Sequence, residues 1–339
     1  MNITCAIALL LASTGADDGS LERFRDVRPA MGSAFEIVLY APDVMTAQRA
    51  FDAAFQRVQE LNQVFSDYDP DSEARRLCDL APMDQPVSIS PDLTHVLQYS
   101  LAMSAKTEGA FDVTVGPLSR LWRRARRTGE LPSEERLAAA RAAVGYHHIQ
   151  LDVENAKVRL TATDMRLDFG AIAKGYASDR ALAVLRSMGI ERALVNGGGD
   201  LTLGEPPPDA EGWRVAIAPL DAETRPTCVL FLSNVSVATS GDAWQFVEID
   251  GVRYSHIVDA RTGMGIERRS SVTVLAPDGM IADAWASAVS LLGPQRGLEL
   301  IETLPDVECQ IITTGPDGER VHRSSRFPTP VAAATDQVP

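Results

Sequence analysis

The stretch LDFGAIAKGYASDRALAVLRSMG, residues 167–189, places Asp168, Gly170, Lys174 and Gly175 within eight residues and then runs into a helical pattern. Ala177, Ala181, Val184, Leu185 and Met188 fall on one helical stripe, so the spacing predicts a helix starting between Ala171 and Lys174. A helix start offers free backbone N–H groups and the positive end of the helix dipole, and Lys174 adds a full charge there. Such a mouth suits an anion, with phosphate the natural guest. The plainer reading is a tight turn with a solvated Lys174 and with Asp168 capping the helix. Neither GxGxxG nor the P-loop pattern is present, so a nicotinamide enzyme or an ordinary NTPase is not supported.

A second stretch, ADAWASA at 282–288, puts Asp283 and Ser287 four residues apart on a predicted helix, their side chains about 5 to 6 Å from each other on one face. Two hard oxygens on one face suit Mg2+, which takes few protein ligands and completes its shell with water and substrate phosphates. The same pattern also fits an aspartate favoured by the helix dipole beside a small packing serine. In YSHIVDARTG, His256 and Asp259 end a strand before a turn, and a histidine titrating near ~6.5 can act as a base or simply be a satisfied polar residue. GAFDVTVGPL joins a helix stop, Phe111, Asp112 and a Gly-Pro turn, with Phe111 fitting a core position. SVATSGD supplies hydroxyls and Asp242 at a turn or at a capped helix start.

These stretches need elements to hold them. SAFEIVLYA reads as a strand, and residues 44–66 repeat Ala47, Phe51, Phe55, Val58 and Leu61 at helical spacing. DLTHVLQYSLAMSAKTEG repeats the helical period and stops at Gly109; HHIQLDVENAKVRLT reads as a hairpin turning at Glu154 and Asn155. ALVNGGGDLTLG is a buried strand entering a glycine turn, and GWRVAIAPL, CVLFLSNVSVATS and RYSHIVDA supply further strands. SVTVLAPDGMIADAWASAVSLLG is a strand, a Pro-Asp-Gly turn and a helix ending at Gly293. Strands and helices alternate without a strict βαβ period, which favours an α+β (mixed α/β) class over a barrel.

With 339 residues, 45% apolar and 23% charged, the chain reads as one large globular unit or two closely packed ones. A net charge of -14 argues against nucleic acid as a partner. One local exception is RLWRRARR, residues 120–127, a basic run that fits an acidic partner, a membrane surface or, most simply, a solvated helix face. Cys5, Cys78, Cys228 and Cys309 are too dispersed for a zinc site or a disulfide framework. The apolar stretch 3–14 has signal-peptide length, although no Lys or Arg precedes it. It predicts a signal peptide over 1–16 and export, with a periplasmic location. The globular domain is expected over 22–315, and the aperiodic tail 324–339 is expected to be disordered.

Taken as a set, MGSAFEI, SDYDPDSEARRL, GAFDVTVGPL, LDFGAIAKGYASD, ALVNGGGDL, VATSGD, YSHIVDARTG and ADAWASA resemble successive motifs of the ApbE family of FAD:protein FMN transferases, from Met31 to about Thr314. The resemblance implies a T-fold-like α+β architecture around one FAD site. It also implies transfer of FMN from FAD to a threonine hydroxyl of an acceptor protein, an electron-transport subunit by expectation, with release of AMP. FAD contacts would come from Met31, Tyr68, Ala110, Phe111, Asp112, Asp168, Lys174 and Ile257. Mg2+ would be held by the Ala171 carbonyl, Asp283 and Ser287, and His256 would be the general base. Val113 and Ala260 stand where the family has prolines, Trp285 where it has an aliphatic residue, and Ser287 where threonine is common, keeping the hydroxyl. A Mg2+-dependent FAD pyrophosphatase and a non-catalytic flavin-binding protein are the two alternatives.

Overall fold

The computed structural model describes residues 21–333 other than 222, 242–244 and 316–317, so the expected signal segment 1–16, Asp242 and the last six residues of the tail lie outside it. Hairpin β1 (Glu22–Ala30) and β2 (Ser33–Ala41) leads into α1 (Val44–Phe65), α2 (Glu73–Asp79), the short β3 (Val87–Ser88), α3 (Pro91–Lys106), α4 (Gly116–Thr128) and α5 (Glu134–Ala142). Hairpin β4 (Ile149–Asp152) and β5 (Lys157–Leu160) precedes α6 (Ala173–Ser187), β6 (Ala193–Gly197) and β7 (Asp200–Leu203). Then come β8 (Trp213–Ala216), β9 (Cys228–Leu232), β10 (Ser236–Gly241), β11 (Phe246–Ile249), β12 (Val252–Ser255), β13 (Ser270–Ala276), α7 (Gly279–Ile301), β14 (Glu308–Gly315), β15 (Gly318–Arg323) and β16 (Val331–Ala332).

Eight strands form one antiparallel sheet in the order β1-β2-β6-β7-β10-β13-β14-β15. Helices α1, α6 and α7 pack on one face. The period-2 alternation of a strand explains how both faces are covered. Phe35, Ile37 and Leu39 of β2 join the helix-facing core, whereas Val38 joins Trp213, Val215, Leu230 and Val237 beneath the small sheet β16-β9-β8. The helix expected over 44–66 is α1, and its periodic residues Ala47, Phe51, Phe55, Val58 and Leu61 are all buried.

Two expectations need correction. The main sheet continues past residue 315 into β15, and the tail from Ser324 is ordered as far as it is described. Phe327 is buried in the second core and Val331–Ala332 pairs with Cys228 and Val229 of β9. One buried aromatic, two ladder residues and the polar contacts of Ser324, Ser325 and Arg326 with Cys309, Glu302, Glu308 and the Leu304 carbonyl hold this segment, none of which leaves a periodic apolar signal. The helix expected to end at Gly293 does leave helical geometry there, with φ 81°, but Pro294 opens a second helical run to Ile301.

Candidate functional site

The N-termini of α6 and α7 meet almost backbone to backbone. A Cβ on Gly175 would stand 2.0 Å from the Gly279 carbonyl oxygen, so nothing larger than glycine permits this approach. Asp179 of α6 locks the junction, its carboxylate accepting hydrogen bonds from Gly279 N–H (2.6 Å) and Met280 N–H (2.9 Å). Asp278 caps α7 through Ile281 N–H (2.9 Å). With the helices so placed, Gly175 N–H donates to Asp283 Oδ2 (3.1 Å) instead of to the carbonyl four residues back. That carbonyl belongs to Ala171, which lines the same cavity as Asp283 and Ser287.

The cavity holds about 830 Å³, and all twelve residues expected at the site lie on its wall. Met31, in the β1–β2 turn with φ 49°, and Ile257, just beyond β12, bound it. Ala110 and Phe111 are buried beside it. Asp112 is on the wall too, but its oxygens already accept from Thr114 N–H (2.8 Å), Thr114 Oγ–H (2.7 Å) and Tyr146 N–H (2.7 Å). Burial pushes its pKa up against those bonds. Thus Asp112 shapes the wall through the loop it ties together.

Lys174 differs from expectation. Its ammonium forms an ion pair with Asp200 and feels Asp283, so its charge is engaged with protein carboxylates rather than free at a helix mouth. Burial pulls the Lys174 pKa down, but Asp283 and Asp200 outweigh it and hold the group protonated. Asp283 is 5% exposed. Burial, opposed by Lys174 and reinforced by Asp200, pushes its pKa to about 7. Asp168 does not cap α6, whose first turn has no side-chain cap; it accepts from Gly170 N–H (2.9 Å) and pairs with Arg123 (3.1 Å).

Arg123 comes from the basic run that reads most simply as a solvated face. It bridges Asp67 and Asp168 and lies 4.4 Å from the centroid of the Tyr68 ring, which is otherwise 75% exposed. Burial, then repulsion by Asp168, pushes the Asp67 pKa up against the pull of Arg123. Asp67, Arg123 and Asp200 were not singled out in the sequence. Asp200 follows the glycine turn directly, and Arg123 sits one helical turn beyond Ser119, which shares the wall.

His256 follows β12 and also lies on the cavity wall. Its ring Nδ1 is 3.1 Å from the Gln245 carbonyl oxygen, and its own N–H donates to that oxygen at 3.0 Å. A carbonyl only accepts, which assigns the ring proton to Nδ1 and the lone pair of the neutral ring to Nε2. The site therefore combines an imidazole oriented through Nδ1 with a recess of hard oxygens. Among the described residues no cluster of three or more His, Cys, Asp or Glu forms a metal cage. The recess instead offers one carboxylate, one hydroxyl and one carbonyl, a donor set for a hard cation that keeps other ligands from solvent or substrate. Ser287 lies on this cavity wall together with Asp283 and Ala171.

An antiparallel sheet with helices on one face and a carboxylate-rich cavity at the mouths of two helices defines a mixed α/β protein with a polar cavity large enough for a sizeable ligand. The ApbE family model matches residues 31–311, and the chain belongs to this family. It is 32% identical over 331 residues to a FAD:protein FMN transferase of Vibrio cholerae, covering 96% of this chain and 98% of that one. It is 34% identical over 246 residues to the FAD:protein FMN transferase of Escherichia coli K12, covering 71% and 70% of the two chains. Among solved structures, the flavin transferase ApbE from Vibrio cholerae superposes with a TM-score of 0.82 at 31% identity, covering 91% of this chain and 98% of that one. The apo flavinyl transferase ApbE of Pseudomonas stutzeri gives 0.80 at 28% identity, covering 92% and 98%.

Proposed function

We propose that this chain transfers FMN from FAD to a threonine hydroxyl of an acceptor protein and releases AMP, with Mg2+ seated between the Ala171 carbonyl, Asp283 and Ser287. The observation that carries the reading is the charge of the cavity wall, where, among the described residues, Asp67, Asp112, Asp168, Asp200 and Asp283 face only Arg123, Arg126 and Lys174 as permanent cations. A dianionic pyrophosphate is repelled by such a wall unless a divalent cation enters with it. When bound, Mg2+ would supply that neutralisation and polarise the phosphoryl oxygens.

The remaining work falls to the chain's own residues. Lys174, anchored by its ion pair with Asp200, balances part of the charge of Asp283. Tyr68, kept under the Arg123 guanidinium, offers a flat exposed face on which a flavin or adenine ring can stack. His256 Nε2 takes the threonine proton as the hydroxyl oxygen bonds to the FMN-side phosphorus. The anhydride bond to the AMP side breaks in line, and its oxygen leaves on AMP. Positioning and electrostatics carry most of such a reaction, and a base adds ~10² to 10⁴ in rate.

The test is to incubate the purified chain with FAD, Mg2+ and a threonine-bearing acceptor, then look for flavin fluorescence on the denatured acceptor and for AMP. Equal AMP release with and without acceptor, and no bound flavin, would replace this reading with FAD hydrolysis. On the apolar stretch 3–14 the reading places the enzyme outside the cytoplasm. A mature N-terminus between Gly15 and Ser20 supports export, whereas an intact Met1 opposes it.

A further inference from the structure

Helix α4 divides its arginines between two jobs. Ser119, Trp122, Arg123 and Arg126 line the cavity, while Arg120, Arg124 and Arg127, each next in sequence to one of those lining residues, are exposed. At 100° per residue the exposed three form one stripe that begins where the cavity wall ends. None of their guanidinium groups makes an ion pair or hydrogen bond among the described residues, and Glu130, Glu134 and Glu135, which follow closely, do not engage them. Some arginines elsewhere on this acidic chain are neutralised, as half-buried Arg28 is by Asp26 and Asp52, half-buried Arg269 by Asp221, and exposed Arg296 by Glu108 and Glu299, while Arg23, Arg136 and Arg214 are exposed without an ion pair among the described residues; the α4 three are set apart by sharing one stripe beside the cavity. Like charges at i,i+4 weaken a helix. Arg127 in the last turn is compensated by the carbonyl end of α4, but Arg120 and Arg124 lie beyond the reach of that effect.

The stripe also adjoins the reacting end of the cavity. Arg126 donates to the Gln245 side chain (3.3 Å), and the Gln245 backbone carbonyl is the atom that orients His256. Anything that brings a hydroxyl to His256 approaches close to α4. Next to Gln245, Phe246 of β11 is 39% exposed and lies beneath the Arg253 guanidinium, 3.3 Å from its ring centroid, adding an apolar contact with a cationic rim.

From this arrangement we infer that the Arg120–Arg124–Arg127 face of α4 is the docking surface for an acidic segment of the acceptor protein. The inference rests on the transferase reading, whose acceptor must reach His256, and names the chemistry by which that acceptor is chosen. Uncompensated cationic charge beside a site of net negative charge separates two tasks. The metal-loaded cavity takes FAD, while the arginine face selects and orients the polypeptide, raising its encounter rate in a manner that salt suppresses.

The experiment compares the full chain with a triple variant, Arg120→Gln, Arg124→Gln and Arg127→Gln. The probes are a fluorescein-labelled peptide with one threonine flanked by aspartates and its asparagine-flanked counterpart. FAD titration by fluorescence quenching is expected to be unchanged in the variant, which shows an intact fold and cavity. By anisotropy, the wild type is expected to bind the aspartate peptide at least ~10-fold more tightly than the variant does, with the difference vanishing at high salt and the asparagine peptide bound equally weakly by both. If the variant fails to fold, Arg124→Glu alone is used, with the same expected order. Equal binding of the two peptides by the wild type, or equal binding of the aspartate peptide by both proteins, overturns the inference. So does arginine-dependent sedimentation with phosphatidylcholine–phosphatidylglycerol vesicles without peptide discrimination, which reassigns the face to a membrane surface. Binding is read without turnover, so arginine-dependent capture of the aspartate peptide with no flavin transfer would sink the transferase reading and leave the docking face standing.

Discussion

Replacing Lys174 by methionine keeps most of the aliphatic stem and removes the ammonium shared by Asp200 and Asp283. Both carboxylates are buried, 6% and 5% exposed, so they would face each other without a neutralising partner. Breaking a buried ion pair by deleting one member costs about 3 to 5 kcal/mol. Some 26% of the Lys174 side-chain surface reaches solvent, and screening brings the expected loss to about 2 to 3 kcal/mol. The loss should depend on pH. Asp283 has its pKa raised to about 7 by burial, against an unfolded value near ~3.9. A carboxyl raised in the folded state contributes stability that is complete below about pH 4 and is lost as pH climbs through about 7. Lys174 lowers the Asp283 pKa, so its removal pushes the titration higher and makes the alkaline side of that window worse. Urea unfolding of metal-free protein should therefore show the full loss near pH ~8 and no more than about half of it near pH ~5.5, where a protonated Asp283 no longer repels Asp200. An identical loss at both pH values would refute the coupling of Lys174 to Asp283. No loss at either would return the lysine to a solvated turn.

Asp283→Asn removes the only carboxylate in the proposed metal recess; Mg2+ binding by calorimetry should fall at least ~10-fold, with excess Mg2+ restoring little turnover. His256→Ala should lower turnover by ~10² to 10⁴ while FAD affinity, read by fluorescence quenching, stays near wild type; an equal loss of FAD binding would make His256 a ligand contact. Gly175→Ala puts a methyl group 2.0 Å from the Gly279 carbonyl, and the α6–α7 junction should open at a cost of about 1 to 3 kcal/mol, visible as a fall in Tm. A wild-type Tm in that variant would show that the junction yields easily.

How much of this site the sequence makes readable depends on whether a residue's direction is set locally. Asp283 and Ser287 point the same way because i,i+4 on any helix does so, and the α7 face follows from spacing alone. Residues 44–66 announce α1 for the same reason, through five apolar side chains on one stripe. Asp200 is different. The turn Gly198–Gly199, with φ of 70° and 109°, reverses the chain so that Asp200 returns beside Lys174, a partner 26 residues earlier that only the pairing of β6 with β7 brings near.

Arg123 lies between these cases, and it shows what a motif list omits. A run of arginines reads as solvated on average, yet the rotation of α4 is fixed by Leu118, Trp122 and Ala125, which bury one stripe against Tyr254 and Ile249. Trp122 Nε1–H then donates to the Gly263 carbonyl (2.8 Å), pinning that rotation to the loop after His256. With the buried stripe set, helical geometry turns Arg123 toward Asp67 and Asp168 and leaves Arg120, Arg124 and Arg127 facing outward. The same tryptophan that reads as an aromatic interruption of a charge run therefore decides which arginine serves the cavity and which remain for a partner. Removing it is expected to disturb both functions at once, whereas removing any one exposed arginine should touch only the second.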